Sequence, residues 1–374
     1  MHDWLVVIGG AERVLAALLK HFPAADVYTL VDELSASQKA SLGLGRVLTS
    51  PLQRVAWLRR HYRSLLPFMP LMVERWDLRA YDLVVSSSHS VAKGVLTHAG
   101  QLHYCLCYTP ARYAWDQQHD YLEAKGWDQG LRSWIARALL QRFRIWDYQT
   151  AQSVDGFIAI SHFVSRRIAK AYRRDSTVIY PPVDLNRCTL SEAHGRLEYV
   201  CVSRLVPYKR IDVVIKAFNR LPHLKLQIIG DGPARKYLQA MAGANVRFSG
   251  WLADPEVVQA MQGARAFLFA AEDDFGITPL EAQACGTPVI ALARGGVLET
   301  LGPEAGKFPN VVFFDEPTED ALIRAIDRFE QSIDQVNAYA CRQHALRFRA
   351  ERFHDQLEAF FSPVLQRFRS DTKS

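Results

Sequence analysis

Between residues 197 and 292, apolar strand-like runs alternate with helix-spaced segments. No other feature of the chain constrains its fold as tightly. LEYVCVSRL (197–205) reads as a buried strand, and IDVVIKAFNRL (211–221) has helical spacing. LKLQIIGDGP (224–233) reads as a strand ending in a Gly-Asp-Gly turn, before the helix ARKYLQAMAG. NVRFSGWL is a short strand and loop. In DPEVVQAMQGA, Asp254 is expected as N-cap with Pro255 at the first helical position. RAFLFAA is a strand, ITPLEAQACG a helix closed by Gly286 at C′, and PVIAL the next strand. Strands that are apolar along their whole length cannot leave one face in water. The alternation therefore implies a parallel sheet covered on both faces.

The first half alternates less cleanly. AERVLAALLKHF reads as a helix, ADVYTLV as a strand, YDLVVSSSHSVAKG as a strand running into a turn, and QLHYCLCYTP as another strand. A long helix over LRSWIARALLQRFRIWDYQTAQSV and a strand–helix pair over DGFIAISHFVSRRIAKAY follow. A chain of 374 residues is too long for one ordinary core. The Pro-Pro pair of STVIYPPVD is the expected linker between domains 1–184 and 185–350, with a helix over 351–374 expected to pack back on the first. The opening MHDWLVVIGGAERVL begins inside a βα turn, without the usual apolar strand before it. In a doubly wound sheet that strand is usually central, so its loss is expected to leave a slot with unpaired N–H and C=O groups. The start is expected to lie downstream of the native one, or WLVVI to serve as a shortened strand.

Hydrophobic residues make up 49% and charged residues 22%, the balance of a soluble globular protein. There is no run of 18 apolar residues, and no basic segment followed by an apolar one opens the chain. The six cysteines are scattered and read as reduced thiols in a cytoplasmic protein. Residues 1–185 hold 22 Lys+Arg against 16 Asp+Glu, and residues 186–374 hold 23 against 23. All of the +6 net charge therefore lies in the first half, which is expected to face a membrane surface, nucleic acid or a phosphorylated substrate.

Two parallel α/β domains place ligands at the carboxyl ends of their strands. In SRLVPYKRID, Arg204 and Lys209 sit between a strand and a helix N-terminus, which suits a diphosphate. A solvated loop with stray charges fits the pair as well. In AAEDDFGITPLEAQACGTPVIA, Asp273 and Glu281 lie eight apart, with Glu281 at the start of a helix. Both can accept hydrogen bonds from sugar or ribose hydroxyls, and the N–H groups of Gly276 and Ile277 can reach a phosphate. The opening GGAER allows close backbone approach to a phosphate, or makes an ordinary turn.

Taken in order, GGAERVL, SRLVPYKRID, IIGDGP and EDDFGITPLEAQACGTPVIA resemble the retaining glycosyltransferases of family 4, which have the GT-B fold. CYTPARYAWD and YPPVD resemble the bacterial mannosyltransferases of surface-polysaccharide and lipopolysaccharide assembly. The resemblance implies two Rossmann-like doubly wound parallel-sheet domains facing a deep cleft. It implies that Arg204 and Lys209 bind the donor diphosphate and stabilise the leaving group, with no metal and no cofactor beyond the nucleotide-sugar substrate. Glu281 would hold the ribose, Asp273 the transferred sugar, and Gly276 and Ile277 a phosphate. Trp251 and Leu252, with Gly230-Asp231-Gly232, would flank the base, and Gly10 would press on the phosphate from the other domain. The chain departs from the family in two places. Asp273 stands where a glutamate is usual, with Glu272 beside it, and Tyr108 stands where many members carry a histidine. His89 and His119 are candidates to face the cleft.

The acceptor is expected on the first domain, lined by Arg112, Trp115 and Asp116. The basic, aromatic stretch 52–72, with Arg54, Arg59, Arg60 and Arg63 among Trp57, Leu58, Leu65, Leu66 and Phe68, fits the inner face of an anionic membrane. It equally fits an amphipathic helix packed on its own sheet. The expected activity is transfer of a hexose, first guess mannose from GDP-mannose, to a saccharide or a polyprenyl-diphosphate-linked acceptor. A non-catalytic or partner-dependent protein and a sugar-nucleotide epimerase are the alternatives. Phosphorolysis of glycogen type would need a longer chain, and no nucleic-acid motif is present.

Overall fold

The computed structural model describes residues 1–190, 197–302 and 309–371. The chain divides into two compact units: unit 1 is Met1–Pro181 with Phe353–Ser374, and unit 2 is Pro182–Arg352.

Unit 1 contains β1 (Val27–Thr29), β2 (Val47–Thr49), β3 (Leu83–Ser88), β4 (Leu102–Cys107), β5 (Gly156–Ala159) and β6 (Ser176–Val178). Among the described residues, β3-β4-β5-β6 form one parallel sheet in that order, and β1 and β2 a separate parallel pair. Cys105, Leu106 and Cys107 are successive buried residues on β4, as a strand covered on both faces requires. Helix α1 (Gly10–His21) buries Val14, Leu15, Ala17 and Leu18, the helical spacing read from the sequence. Helix α2 (Gly130–Gln152) buries Ala136, Leu140, Phe143 and Ala151 and leaves Leu131, Trp134 and Ile135 exposed.

Two expectations for unit 1 are corrected. WLVVI is no strand, because within it Leu5 alone makes an isolated bridge, to Asp32. The basic stretch is not one amphipathic helix. It breaks into short helical pieces, Pro51–Arg54, Ala56–Arg60, Tyr62–Phe68 and Met69–Val73, and Pro67 and Pro70 remove backbone donors from the last two. Leu52, Tyr62, Met69 and Val73 pack into the core while Trp57 and Phe68 are exposed. Arg59 pairs with Glu33, and the side chains of Leu58, Arg60 and Arg63 lie outside the described residues.

Unit 2 contains β7 (Glu198–Val202), β8 (Lys225–Ile229), β9 (Val246–Gly250), β10 (Ala264–Phe269), β11 (Val289–Leu292) and β12 (Val311–Phe314). They form one parallel sheet in the order β12-β11-β10-β7-β8-β9. The strand order reverses between β7 and β10. Helix α3 (Ile211–Asn219) covers one face with Val213, Val214, Ala217 and Phe218, and α4 (Ile277–Ala284) is buried along most of its length. Asp254 is the first helical residue rather than the N-cap; Ala253 is the cap, and its N–H is met by the Glu256 carboxylate at 3.0 Å. Helix α5 (Ala350–Asp371) belongs to unit 1 from Phe353 onward. Its buried Phe361 meets Phe22 and Tyr104 edge-on, at 5.3 and 5.5 Å between ring centroids.

His103 on β4 is buried, with Nε2 2.9 Å from the Ser86 hydroxyl. Burial pushes its pKa down to about 3. The unfolded chain takes up a proton near pH 6.5 that the folded chain refuses. Stability from this site is thus present above 6.5 and is lost as pH falls from 6.5 toward 3. Urea midpoints measured at pH 7.5 and 5 are expected to show this loss. In His103→Gln the part of the pH dependence above pH 5 is expected to flatten.

Candidate functional site

Loops leave the carboxyl ends of β7, β8, β9 and β10 carrying the residues singled out in the sequence. The loop after β7 bears Arg204 and Lys209, and that after β10 bears Asp273, Gly276 and Ile277. β7 and β10 are the neighbours at which strand order reverses, the place where open parallel sheets bind ligands. There the Lys209 ammonium pairs with the Asp273 carboxylate, joining the two loops, while Arg204 is exposed. Gly230, after β8, donates its N–H to Gly250 O at 2.7 Å, next to exposed Trp251 and half-buried Leu252.

Glycines hold both loops in place. A Cβ on Gly230 (φ +130°) would lie 2.0 Å from Ser203 O, and one on Gly232 2.4 Å from Leu205 O. A Cβ on Gly295 (φ +80°) would lie 2.4 Å from Asp273 O, and one on Gly296 2.2 Å from Asp274 O. The backbones on either side of Arg204 and at Asp273 are thus each pressed by a glycine pair that tolerates no side chain. Gly296 N–H also donates to Asp273 O at 2.7 Å. Phe275 is buried edge-on against Phe348, and Gly276 (φ +83°) is the N-cap of α4.

Glu281 is the fifth residue of α4 rather than at its start, and it is 8% exposed. The Arg187 guanidinium pairs with it and lies 3.9 Å from Asp254. Burial by itself lowers the pKa of Arg187, but Glu281 first, with Cys188, Asp254 and Asp184 adding to it, together more than offset this and raise it. A carboxylate this buried needs a cation against it, and the Arg187 guanidinium supplies one.

In unit 1, exposed Gly10 opens α1, and Gly9 N–H donates to the Glu12 carboxylate at 2.9 Å. Beneath this turn His2 Nδ1 lies 3.0 Å from the Ser87 hydroxyl, which lies 2.9 Å from the Tyr108 hydroxyl. Tyr108 donates to Ala11 O at 2.9 Å. Tyr108, expected to meet the substrate, is instead buried with its hydroxyl used to hold α1, and burial pushes its pKa up. Trp115 is likewise turned inward. Its indole N–H donates to Asp147 at 2.7 Å, beside the buried Lys93–Asp147 pair. Asp116 pairs with Arg167 at 2.6 Å, Arg112 is half-buried, and His119 is exposed.

His89 follows β3, with Nδ1 3.0 Å from the Asp3 carboxylate and its ring edge-on to Trp4. Asp3 is fully buried and accepts the N–H groups of His89, Ser90, Val91 and Ala92 at 2.7–3.1 Å. Burial alone would raise its pKa, but the charge of His89 and the hydrogen bonds it receives hold it far below the usual carboxylate value. Asp3, Arg187 and the Gly295-Gly296 pair were not singled out from the sequence. The double glycine just after PVIALAR was the one visible signal.

Residues 8–187 match the family described as Glycosyltransferase Family 4, and residues 185–340 that described as Glycosyl transferases group 1. The GDP-mannose-dependent monoacylated alpha-(1-6)-phosphatidylinositol monomannoside mannosyltransferase of Corynebacterium glutamicum is 33% identical over 41% of this chain and 48% of its own. The GDP-mannose-dependent alpha-(1-6)-phosphatidylinositol monomannoside mannosyltransferase of Mycolicibacterium smegmatis is 30% identical over 51% and 55%. The chain spans about half the length of these curated relatives. Among solved structures, Anabaena Alr3699/HepE in complex with UDP and glucose matches at a TM-score of 0.65 and 18% identity, covering 96% of this chain and 99% of that one. Sucrose-phosphate synthase from Thermosynechococcus elongatus matches at 0.70 and 15%, covering 98% and 99%. Two parallel-sheet units and these matches define an α/β protein of the GT-B fold class. The chain carries a glycosyltransferase family 4 domain followed by a glycosyl transferases group 1 domain.

Removing the cation that faces buried Glu281 leaves an uncompensated charge. Arg187→Ala is expected to cost about 3 kcal/mol of unit 2 stability and Arg187→Lys clearly less, read from thermal melts of both variants.

Proposed function

We propose that this chain is a metal-independent retaining hexosyltransferase that moves mannose from GDP-mannose to a saccharide or lipid-linked saccharide acceptor in the synthesis of a bacterial surface polysaccharide. The observation that carries this reading is the Lys209–Asp273 pair at the strand-order reversal, in loops that also bear Arg204 and the N-terminus of α4. The choice of donor is supported by the names of the two mannosyltransferase relatives.

In this reading Arg204 and Lys209 hold the diphosphate and neutralise the charge that grows on it as the sugar C1–O bond breaks. Gly276 and Ile277 give backbone N–H groups at a helix N-terminus. Asp273 fixes Lys209. A carboxylate accepts about four hydrogen bonds, so Asp273 can also take a sugar hydroxyl. Glu281, paired with Arg187, takes the ribose hydroxyls, and Trp251 and Leu252 flank the base. The acceptor oxygen bonds C1 on the face from which the diphosphate leaves, and its proton passes to the departing phosphate oxygen. The protein then mainly positions and stabilises.

On unit 1, His89, Arg112, Asp116 and Gly10 remain acceptor- and phosphate-side candidates, with Tyr108 supporting Gly10 from below. A polyprenyl-diphosphate carrier and peripheral contact with an anionic membrane at the cytoplasmic face suit the excess positive charge of residues 1–185. A second reading, a sugar-nucleotide binder without turnover, is favoured by Asp273 standing where the resembled family has glutamate.

A thermal-shift panel of GDP-, UDP-, ADP- and dTDP-sugars is expected to single out the GDP-sugar, since a ligand at 100 times its Kd stabilises by about 2.7 kcal/mol. Arg204→Ala is expected to cut GDP release at least ~100-fold with the fold retained. Unchanged turnover in that variant contradicts the role given to Arg204, and GDP-sugar binding without turnover favours the second reading.

A further inference from the structure

Helix α2 is apolar on both sides, and unit 1 covers only one of them. Ala136, Leu140 and Phe143 enter the core. On the other side Leu131, Trp134, Ile135 and Leu139 are exposed, Leu131 and Trp134 by 78% each. Leu131, Ile135 and Leu139 recur every four residues, with Trp134 three past Leu131, so the four form one ridge along the first turns of the helix. A helix that is hydrophobic all round is normally buried all round. Single exposed apolar residues are ordinary, but a contiguous ridge that includes a tryptophan marks a surface made to be covered.

The charges beside the ridge say what covers it. Arg137 and Arg144 are half-buried and spend donors inside unit 1, on Ser133 and on Ala114 O and Gln118. Arg132 and Arg142 are exposed, and so is Asp128 in the turn before the helix. The Ser133 hydroxyl donates to Asp128 O at 3.0 Å and fastens that turn to the helix. Arg142 lies seven residues beyond Ile135, about 10.5 Å along the axis and close to two full turns, so it stays on the ridge side. Asp128 lies seven residues before Ile135. The ridge thus carries a cation at one end and an anion at the other, evenly placed about its middle.

We propose that a second copy of this chain covers the ridge, the two α2 helices packing antiparallel about a two-fold axis at Ile135. Such an axis brings residues equally far before and after Ile135 opposite one another. Leu131 of each copy then meets Leu139 of the other, Arg142 meets Asp128, and Arg132 falls opposite the small Ala138. Parallel pairing would set Arg132 on Arg132 and Arg142 on Arg142, like charge on like. An anionic lipid surface would accept the arginines but would repel Asp128. The dimer does not depend on the donor or acceptor assigned above, so its failure leaves the transfer reading untouched.

The test is molar mass by light scattering over a range of protein concentrations. The mass is expected to climb from 42.4 kDa toward twice that value. Ile135→Asp sets two carboxylates together at the axis and is expected to weaken the dimer at least ~30-fold, as losing a central contact does. Arg142→Glu and Asp128→Arg are each expected to weaken it ~10-fold through facing like charges. The double variant is expected to return to within ~3-fold of the parent, because its swapped charges again attract. All three side chains are exposed, so thermal melts of the monomer are expected to be unchanged. A monomer at every concentration overturns the proposal, as does a dimer that Ile135→Asp leaves intact or a double variant no tighter than the single ones. So does a monomer that binds phosphatidylglycerol vesicles and loses that binding in Trp134→Ser, since lipid then covers the ridge.

Discussion

The candidate site rests on backbone meeting backbone without side chains between. Gly230 and Gly232 press on Ser203 and Leu205, and Gly295 and Gly296 press on Asp273 and Asp274. A loop leaving a buried parallel strand has few partners with which to fix its course. Here each functional loop leans on the loop of the adjacent strand, and close approach replaces packed side chains. The cationic loop after β7 and the acidic loop after β10 are held independently, and the Lys209–Asp273 pair then ties them together. The pair is half-buried and need not supply the order itself.

Unit 1 solves the same problem with a carboxylate. Asp3 gathers four consecutive amides of the turn after β3 and orients His89, while His2, Ser87 and Tyr108 support the first turn of α1 from below. These groups are buried, and each must be satisfied within the protein. The turn after β3 and the first turn of α1 are therefore built on a buried polar floor. Tyr108 belongs to that floor, although its place after β4 suggested a contact with substrate.

Much of unit 2 was legible in the sequence because its strands are continuously apolar and its turns carry glycine. The carboxyl ends of β7 and β10 could be located from SRLVPYKRID and EDDFGITPLEAQACG alone. Partners distant in sequence could not. Nothing near Glu281 points to Arg187, which lies 94 positions away, and nothing near Asp3 points to residues 89–92. The stretch 51–73 misled because arginine–apolar alternation resembles one helix, whereas Pro67 and Pro70 divide it. Trp115 misled because an aromatic beside charges suits a sugar as well as it suits a buried carboxylate such as Asp147.

Unit 1 is discontinuous: Pro182–Arg352 interrupts it, and Phe353 onward returns to it. Phe361 seals the core against Phe22 and Tyr104. During synthesis, those rings wait uncovered while the whole of unit 2 is made, at ribosomal rates of roughly 5–20 residues per second. The first domain to leave the ribosome is thus the last to close. Any ribosome that stalls or stops within the final helix releases a chain with unit 2 finished and an oily face open on unit 1.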